Sequence, residues 1–423
     1  MLPSGGAASR WAVFRRRTDR RFPVDIPDEV VDWRTKGLWL PGGPVAASAF
    51  AAARHPLFGG PFTWPVLVAR RAALDRNIAT LAAFADRHGL AFAPHGKTTM
   101  APSVFAAQLR AGAWGITAAT ANQVLAYRRF GVPRVLLANE LLDPTALRWL
   151  AAEIADGFDV LLYADSLDGV AALADAAGPR PFRVLVELGH ADGRTGCRTV
   201  AELTKVARAV VDAPGTELAG VSGYEGMFTD PDGAAAYLDA LREATCALAG
   251  LLPDHVIVSA GGSAYFDLVA DRLGGDWLPG HDLTVVLRSG AYVSHDHGLY
   301  VEKTPFNRVP GSLDAALELW AQVTSVPEPG LAIVGMGKRE APYDAGLPVP
   351  LRVRRPDGTA EPADGLRVTG TADHHAFVAG DGVRPGDLVC FGISHPCTAF
   401  DKWQVIPVVD DAYTVVDLIR TYF

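Results

Sequence analysis

The chain has little cysteine, no long apolar run and no surplus of positive charge, and each shortage excludes something. Its four cysteines, Cys197, Cys246, Cys390 and Cys397, show no paired spacing. A disulfide framework is therefore not expected, and the usage suits a reduced, cytoplasmic setting. No apolar stretch approaches bilayer length, so a membrane-spanning helix is not expected. A formal charge of −8 without a basic face argues against nucleic acid as a partner. One cationic cluster does stand out, at Arg15, Arg16, Arg17, Arg20 and Arg21. No apolar segment of signal-peptide length follows it, and it reads as part of an exposed N-terminal arm. Low-complexity tracts are absent too, as are repeats beyond a strand–helix unit.

What is present is a regular middle section between two irregular ones. With 423 residues and 49% hydrophobic content, the chain has material for two domains. Residues 1–62, rich in Pro, Gly and Trp, read as an arm packing on the rest. Over 63–300 a strand at Val66–Ala69 and a helix at Ala72–His88 lead into eight short β-type runs. These are Leu90–Ala93, Gly115–Ala118, Arg134–Ala138, Asp159–Tyr163, Arg183–Glu187, Ala219–Ser222, Val256–Ser259 and Thr284–Leu287. Ala- and Leu-rich helical stretches separate them. Eight such units predict a (β/α)8 barrel; an open doubly wound sheet, the competing fold, would leave two exposed edges. From 301 to 423 Pro and Gly become frequent and helical periodicity fades. Strands are predicted at Leu331–Gly335, Leu351–Arg354, Leu366–Gly370, Leu388–Phe391 and Trp403–Val409, giving a β-rich second domain.

Barrel active sites lie at the C-terminal ends of the strands, so the residues following each run are the candidates. Lys97, in AFAPHGKTTMAP, follows the first. Partial burial there lowers a lysine's pKa and frees the amine for a Schiff base. His95 adjoins it and is placed with the cofactor contacts. After the fifth run come Glu187, His190, Asp192 and Arg194, the last flanked by Gly193 and Gly196 in a tight loop. Tyr224 follows the sixth. Gly261, Gly262 and Ser263 follow the seventh, where barrels hold phosphate on backbone amides. Arg288 to Tyr292 follow the eighth. A phosphate clamp facing a reactive amine is what pyridoxal 5'-phosphate requires. In the second domain, His395 and Cys397 stand at i and i+2. In an extended segment both would face one way, an N/S pair suited to zinc.

Taken together, PHGKT, the Gly-flanked arginine, GYEG, the GGS turn and the terminal H-x-C resemble the fold-type III pyridoxal phosphate enzymes. They are most similar to the D-serine dehydratase and D-threonine aldolase group, which includes bacterial proteins called amino acid deaminases. The resemblance covers about residues 60–405. It implies that Lys97 binds the cofactor's aldehyde, that Gly262 and Ser263 hold its phosphate, that Arg194 meets its phenolic oxygen and that Tyr224 borders its ring. It also implies a divalent metal, zinc or manganese, on His395 and Cys397. His375 matches a family histidine that follows acidic residues and is taken with Lys97 as catalytic. Here that run is Asp-His-His, and Thr99 stands where many relatives have histidine; both departures bear on substrate preference. The implied reaction is dehydration of a β-hydroxy D-amino acid to a 2-oxo acid and ammonia, on the lead of the cysteine in the metal pair. The alternatives are retro-aldol cleavage to glycine and an aldehyde, racemisation, or a non-catalytic pyridoxal phosphate carrier. A homodimer is expected on the same ground, with a small D-amino acid as the only other partner.

Overall fold

The computed structural model describes residues 24–423. The arginine cluster of the predicted arm lies outside the described residues. Eight parallel strands follow one another around a curled sheet: Ala91–Phe92, Ile116–Ala118, Arg134–Glu140, Asp159–Ala164, Phe182–Leu188, Thr216–Gly223, His255–Ala260 and Asp282–Leu287. All eight coincide with the predicted runs. The eighth pairs with the first through Val286–Ala91 and Leu287–Phe92. Between first and second the ladder is a single parallel bridge, His95 with Thr117. The amides of Trp114 and Thr117 donate to the carbonyls of Phe92 and Pro94 at 2.7 and 2.9 Å and complete the closure.

Local chemistry marks where five of the barrel helices begin. Thr120, Asp143, Ser166 and Asp230 accept from backbone amides at their helix N-termini, and Thr199 with Glu202 forms a full capping box. The helices bury apolar faces on the outside of the ring. Inside it, Ala93, Leu136, Leu161, Leu185, Ala219, Ile257 and Val286 fill the bore with Tyr163 above them. The interior is a packed layer and not a pore.

The second domain is an antiparallel assembly whose longest strand, Leu317–Glu328, was not predicted. Its first five residues are buried whichever way they point, and Glu318 and Gln322 break the apolar run, so it shows neither clean alternation nor a continuous hydrophobic stretch. The strand Val66–Arg70 pairs with it, Leu317 opposite Ala69 and Trp320 opposite Val66, and also runs parallel to Val405–Val409. A segment that reads like the start of the barrel is thus hydrogen-bonded into the other sheet. The following helix, Arg71–Arg87, returns to the barrel and packs Phe84 against Phe266 and Phe306. No helix among the described residues is long and apolar enough to cross a membrane.

Leu161 is fully buried in the barrel interior, so Leu161→Ala should leave a cavity. The expected loss is about 2–5 kcal/mol by urea denaturation.

Candidate active site

The C-terminal ends of the barrel strands open into a cavity of about 590 Å³. His95, Lys97, Arg194, Tyr224, Gly261, Gly262, Ser263, His395 and Cys397 all line it. Residues that the sequence scatters over three hundred positions therefore line one cavity. Tyr163, Asp296, Tyr300 and Lys303 also line it and were not singled out from the sequence; Glu187 and Arg288 were noted there without a role.

Lys97 sits on a single 3-10 turn, Gly96–Thr98, after the first strand. Gly96 is required by close approach, since a Cβ would stand 2.5 Å from Tyr127 Oη and 2.8 Å from Ile116. The ammonium is open to solvent through the cavity mouth but walled by protein elsewhere. Desolvation lowers its pKa, Cys397 opposes that, and Arg194 and Arg288 lower it further. His95 is held well below the usual imidazole range by burial, then by Lys97 and Arg288.

Arg194 stacks over Tyr224, its guanidinium carbon 4.2 Å from the ring centroid. The loop that carries it is shaped by Arg198. That guanidinium donates to the carbonyls of Thr195, Gly196, Gly193 and Arg194 at 2.7, 3.0, 3.1 and 2.7 Å. Tyr224 is placed from behind, its amide donating to Tyr237 Oη, which donates to the Leu188 carbonyl.

The Gly-Gly turn differs from its sequence reading. The amides of Gly261 and Gly262 donate to the two carboxylate oxygens of the buried Glu225, at 3.0 and 2.6 Å. They are not free donors. Gly261 has φ +97°, and a side chain there would overlap Leu287, so the glycines shape the wall. Polar capacity at this end comes from Ser263, whose Oγ accepts from the Ala291 amide. Opposite, the buried Arg288 donates to Ser259 Oγ and the Gly223 carbonyl, both at 2.8 Å.

His395 and Cys397 reach the same cavity, but not from an extended segment. Pro396 is helical and Cys397 begins the short helix Cys397–Phe400. Cys397 Sγ lies 3.5 Å from Thr98 Oγ1, next to Lys97 in the chain. Its hydrogen bond with His395, opposed by burial and aided by Asp344, pushes that imidazole up to about 9. Among the described residues no group of three or more His, Cys, Asp or Glu side chains converges as a metal site. Two such side chains by themselves do not close a coordination sphere. His375 does not reach this cavity within one chain. It is exposed on the turn between Arg367–Thr371 and Ala376–Ala379.

Buried polar atoms without partners ring the cavity: His95 Nδ1, Tyr163 Oη, Glu187 Oε2 and Asp296 Oδ2, with both oxygens of Glu140 beside Glu187. Glu140 is pushed up to about 8 by burial, then by Glu187 and Asp165. Folding raises this pKa from 4.5, so the stabilisation is complete below that value and is lost as pH climbs through 8. Glu140→Gln should flatten the wild-type fall in stability between pH 6 and 9 by about 1–2 kcal/mol, read from urea unfolding across that range. Arg198→Met should loosen the loop at 193–196, and hydrogen exchange of its amides should speed up while the barrel strands are unchanged.

Residues 316–409 match the family model described as "Putative serine dehydratase domain". The 3-hydroxy-D-aspartate aldolase of Paracoccus denitrificans (strain Pd 1222) is 28% identical over 298 residues, 67% of this chain and 74% of the relative. The D-threo-3-hydroxyaspartate dehydratase of Delftia sp. (strain HT23) is 28% identical over 341 residues, 74% of this chain and 83% of the relative. Among solved structures, the D-threonine aldolase of Filomicrobium marinum superposes with a TM-score of 0.73 at 24% identity, covering 85% of this chain and 95% of that one. An alanine racemase-like protein from Idiomarina loihiensis gives 0.67 at 19%, covering 85% and 96%. Two D-threo-3-hydroxyaspartate dehydratase variants have been solved, with alanine in place of a histidine and of the cysteine two positions on, the latter in a metal-free form. Residues 316–409 thus resemble the "Putative serine dehydratase domain", in a chain with the alanine racemase-like fold.

Proposed function

We propose that the chain is a pyridoxal phosphate- and metal-dependent lyase of β-hydroxy D-amino acids, a dehydratase that converts D-serine or D-threonine to a 2-oxo acid and ammonia. One observation carries this reading: a lysine of lowered pKa and a His–Cys pair face the same cavity from different domains.

The cavity fits the cofactor. The orphaned polar atoms around it call for a ligand with several hydrogen-bonding groups. Lys97 would hold the aldehyde, Arg194 the phenolic oxygen, Tyr224 the ring edge, and Ser263 the phosphate. Bound there, pyridoxal phosphate supplies an electron sink for the pair released from Cα. A soft nitrogen and sulfur pair likewise fits a divalent cation, zinc by preference, which would polarise the β-hydroxyl.

The rest of the work falls to the chain's own groups. Lys97, its amine favoured by desolvation, takes the proton from Cα. His395 and Cys397 hold the β-hydroxyl side of the substrate against the second domain. Arg194 and Tyr224 orient the ring face. Loss of the hydroxyl as water leaves an enamine, which hydrolyses in solution to the 2-oxo acid and ammonia. Cys397 supports dehydration over aldol cleavage, because the solved variants named D-threo-3-hydroxyaspartate dehydratase alter a histidine and a cysteine two positions apart. The aldolase relatives keep the other outcome in play, since deprotonating the β-hydroxyl would break Cα–Cβ instead. His375 would enter a site only across a homodimer, which the reading includes.

Incubation with D-serine and D-threonine should yield 2-oxo acid and ammonia in equal amounts. Glycine and an aldehyde without ammonia would overturn the dehydratase assignment, and inverted substrate alone would reveal a racemase. Lys97→Ala should abolish both the activity and the near-visible absorbance of the purified protein. Chelation of the metal should remove the activity and leave that absorbance in place.

A further inference from the structure

The segment bearing His395 and Cys397 is gripped by a loop between the strands Leu331–Val334 and Val349–Arg354. Asp344 on that loop places Oδ2 2.5 Å from His395 Nδ1. Its other oxygen accepts from Thr398 Oγ1 at 2.9 Å, and that hydroxyl lies 3.3 Å from the His395 carbonyl. The neighbouring Ala345 carbonyl accepts from Ser394 Oγ at 2.5 Å. Gly346, with φ +113°, lets the loop come this close, since a Cβ there would stand 2.7 Å from Ser394 Oγ. Loop and segment are therefore locked at three nearby residues, Ser394, His395 and Thr398.

A carboxylate only accepts, so Nδ1 of His395 must carry a proton. The nitrogen left to bind a cation is then Nε2, on a ring that faces the cavity. We propose that Asp344 is a positioning residue that fixes the tautomer and the ring plane of His395 for a divalent cation bound by His395 and Cys397. The inference rests on the reading of that pair as metal ligands.

A merely structural role makes a different prediction. The Asp344 side chain is 46% exposed and the His395 side chain 26%, and half-exposed ion pairs add little to fold stability. A histidine's carboxylate partner, by contrast, typically governs metal affinity by 10–100-fold. Asp344 should thus matter to the cation and not to the fold.

The test uses the full chain, stripped with chelator and titrated with Zn2+ against a chromophoric competitor. Asp344→Ala should weaken Zn2+ binding about 10–100-fold. Asp344→Asn keeps an acceptor oxygen but loses the charge, so its loss should be smaller. Thermal unfolding of the metal-free chain should be the same for wild type and both variants. The Co2+-loaded protein gives a second readout: its ligand-field bands should shift in Asp344→Ala while the thiolate charge-transfer band persists. Unchanged Zn2+ affinity in Asp344→Ala, with unchanged Co2+ bands, overturns the inference and leaves the metal reading standing. Equal destabilisation of the metal-free fold and of binding also overturns it, in favour of a structural role. Failure of the wild type itself to bind either cation would remove the metal reading, and this inference with it.

Discussion

Closure of the barrel at its weakest seam is the constraint on which the site depends. The first strand spans only Ala91–Phe92, and its link to the second is one bridge between His95 and Thr117 with two flanking hydrogen bonds. That seam is where the chain turns from strand to 3-10 turn and presents Lys97. Thr117 strengthens it, its hydroxyl donating to the Ala93 carbonyl at 2.6 Å. Gly96 lets the turn lie against Tyr127 and Ile116. A larger residue there would push the turn outward and carry the lysine away from Arg194, Arg288 and Cys397, the charges that tune it.

The cavity's electrostatics follow from the same crowding. Three cationic side chains, Lys97, Arg194 and Arg288, converge above a barrel floor where Glu140 and Glu187 lie side by side. Arg288 is buried with only neutral partners in hydrogen-bonding contact, and Glu140 is buried beside like charge. Neither arrangement stabilises the fold by itself. Such uncompensated buried groups, with the ring of unpartnered polar atoms, are typical of a functional cavity.

The second domain is tied to the barrel by more than its linker. Val66–Arg70 enters its sheet from the N-terminal side, and Asn77, on the next helix, donates to the carbonyls of Val293 and Asp314 on the path out of the barrel. Those ties hold the face carrying His395 and Cys397 over the mouth. The buried cluster around Glu318, where Arg70, Arg352 and Tyr413 meet, joins the strand to the sheet with charge-assisted bonds. Two domains therefore contribute to one site with little freedom between them.

How much of this the residues announced depends on how local each signal is. Barrel strands and helix starts are set by periodicity and capping within a few residues, and they were legible. Lys97, Arg194, Tyr224, His395 and Cys397 carried distinctive neighbours that marked them as candidates, and all five line the one cavity. Three things were not legible. Val66–Ala69 groups with the barrel domain as a lead-in strand, because its partner in the other sheet lies about 250 positions away. Gly261 and Gly262 read as an anion cradle because nothing local says that Glu225 fills it. Asp344 has no motif at all, for its hydrogen bond is to His395, 51 positions on in the chain. The sequence by itself determined the order of strands and helices and the kinds of reactive group, because those follow from short-range sterics and side-chain chemistry. Only the tertiary structure decided which groups share a cavity, which donors are already spent and which carboxylate stands behind the histidine. Those are matters of distance between residues far apart along the chain, set by closure of the ring and docking of the second sheet.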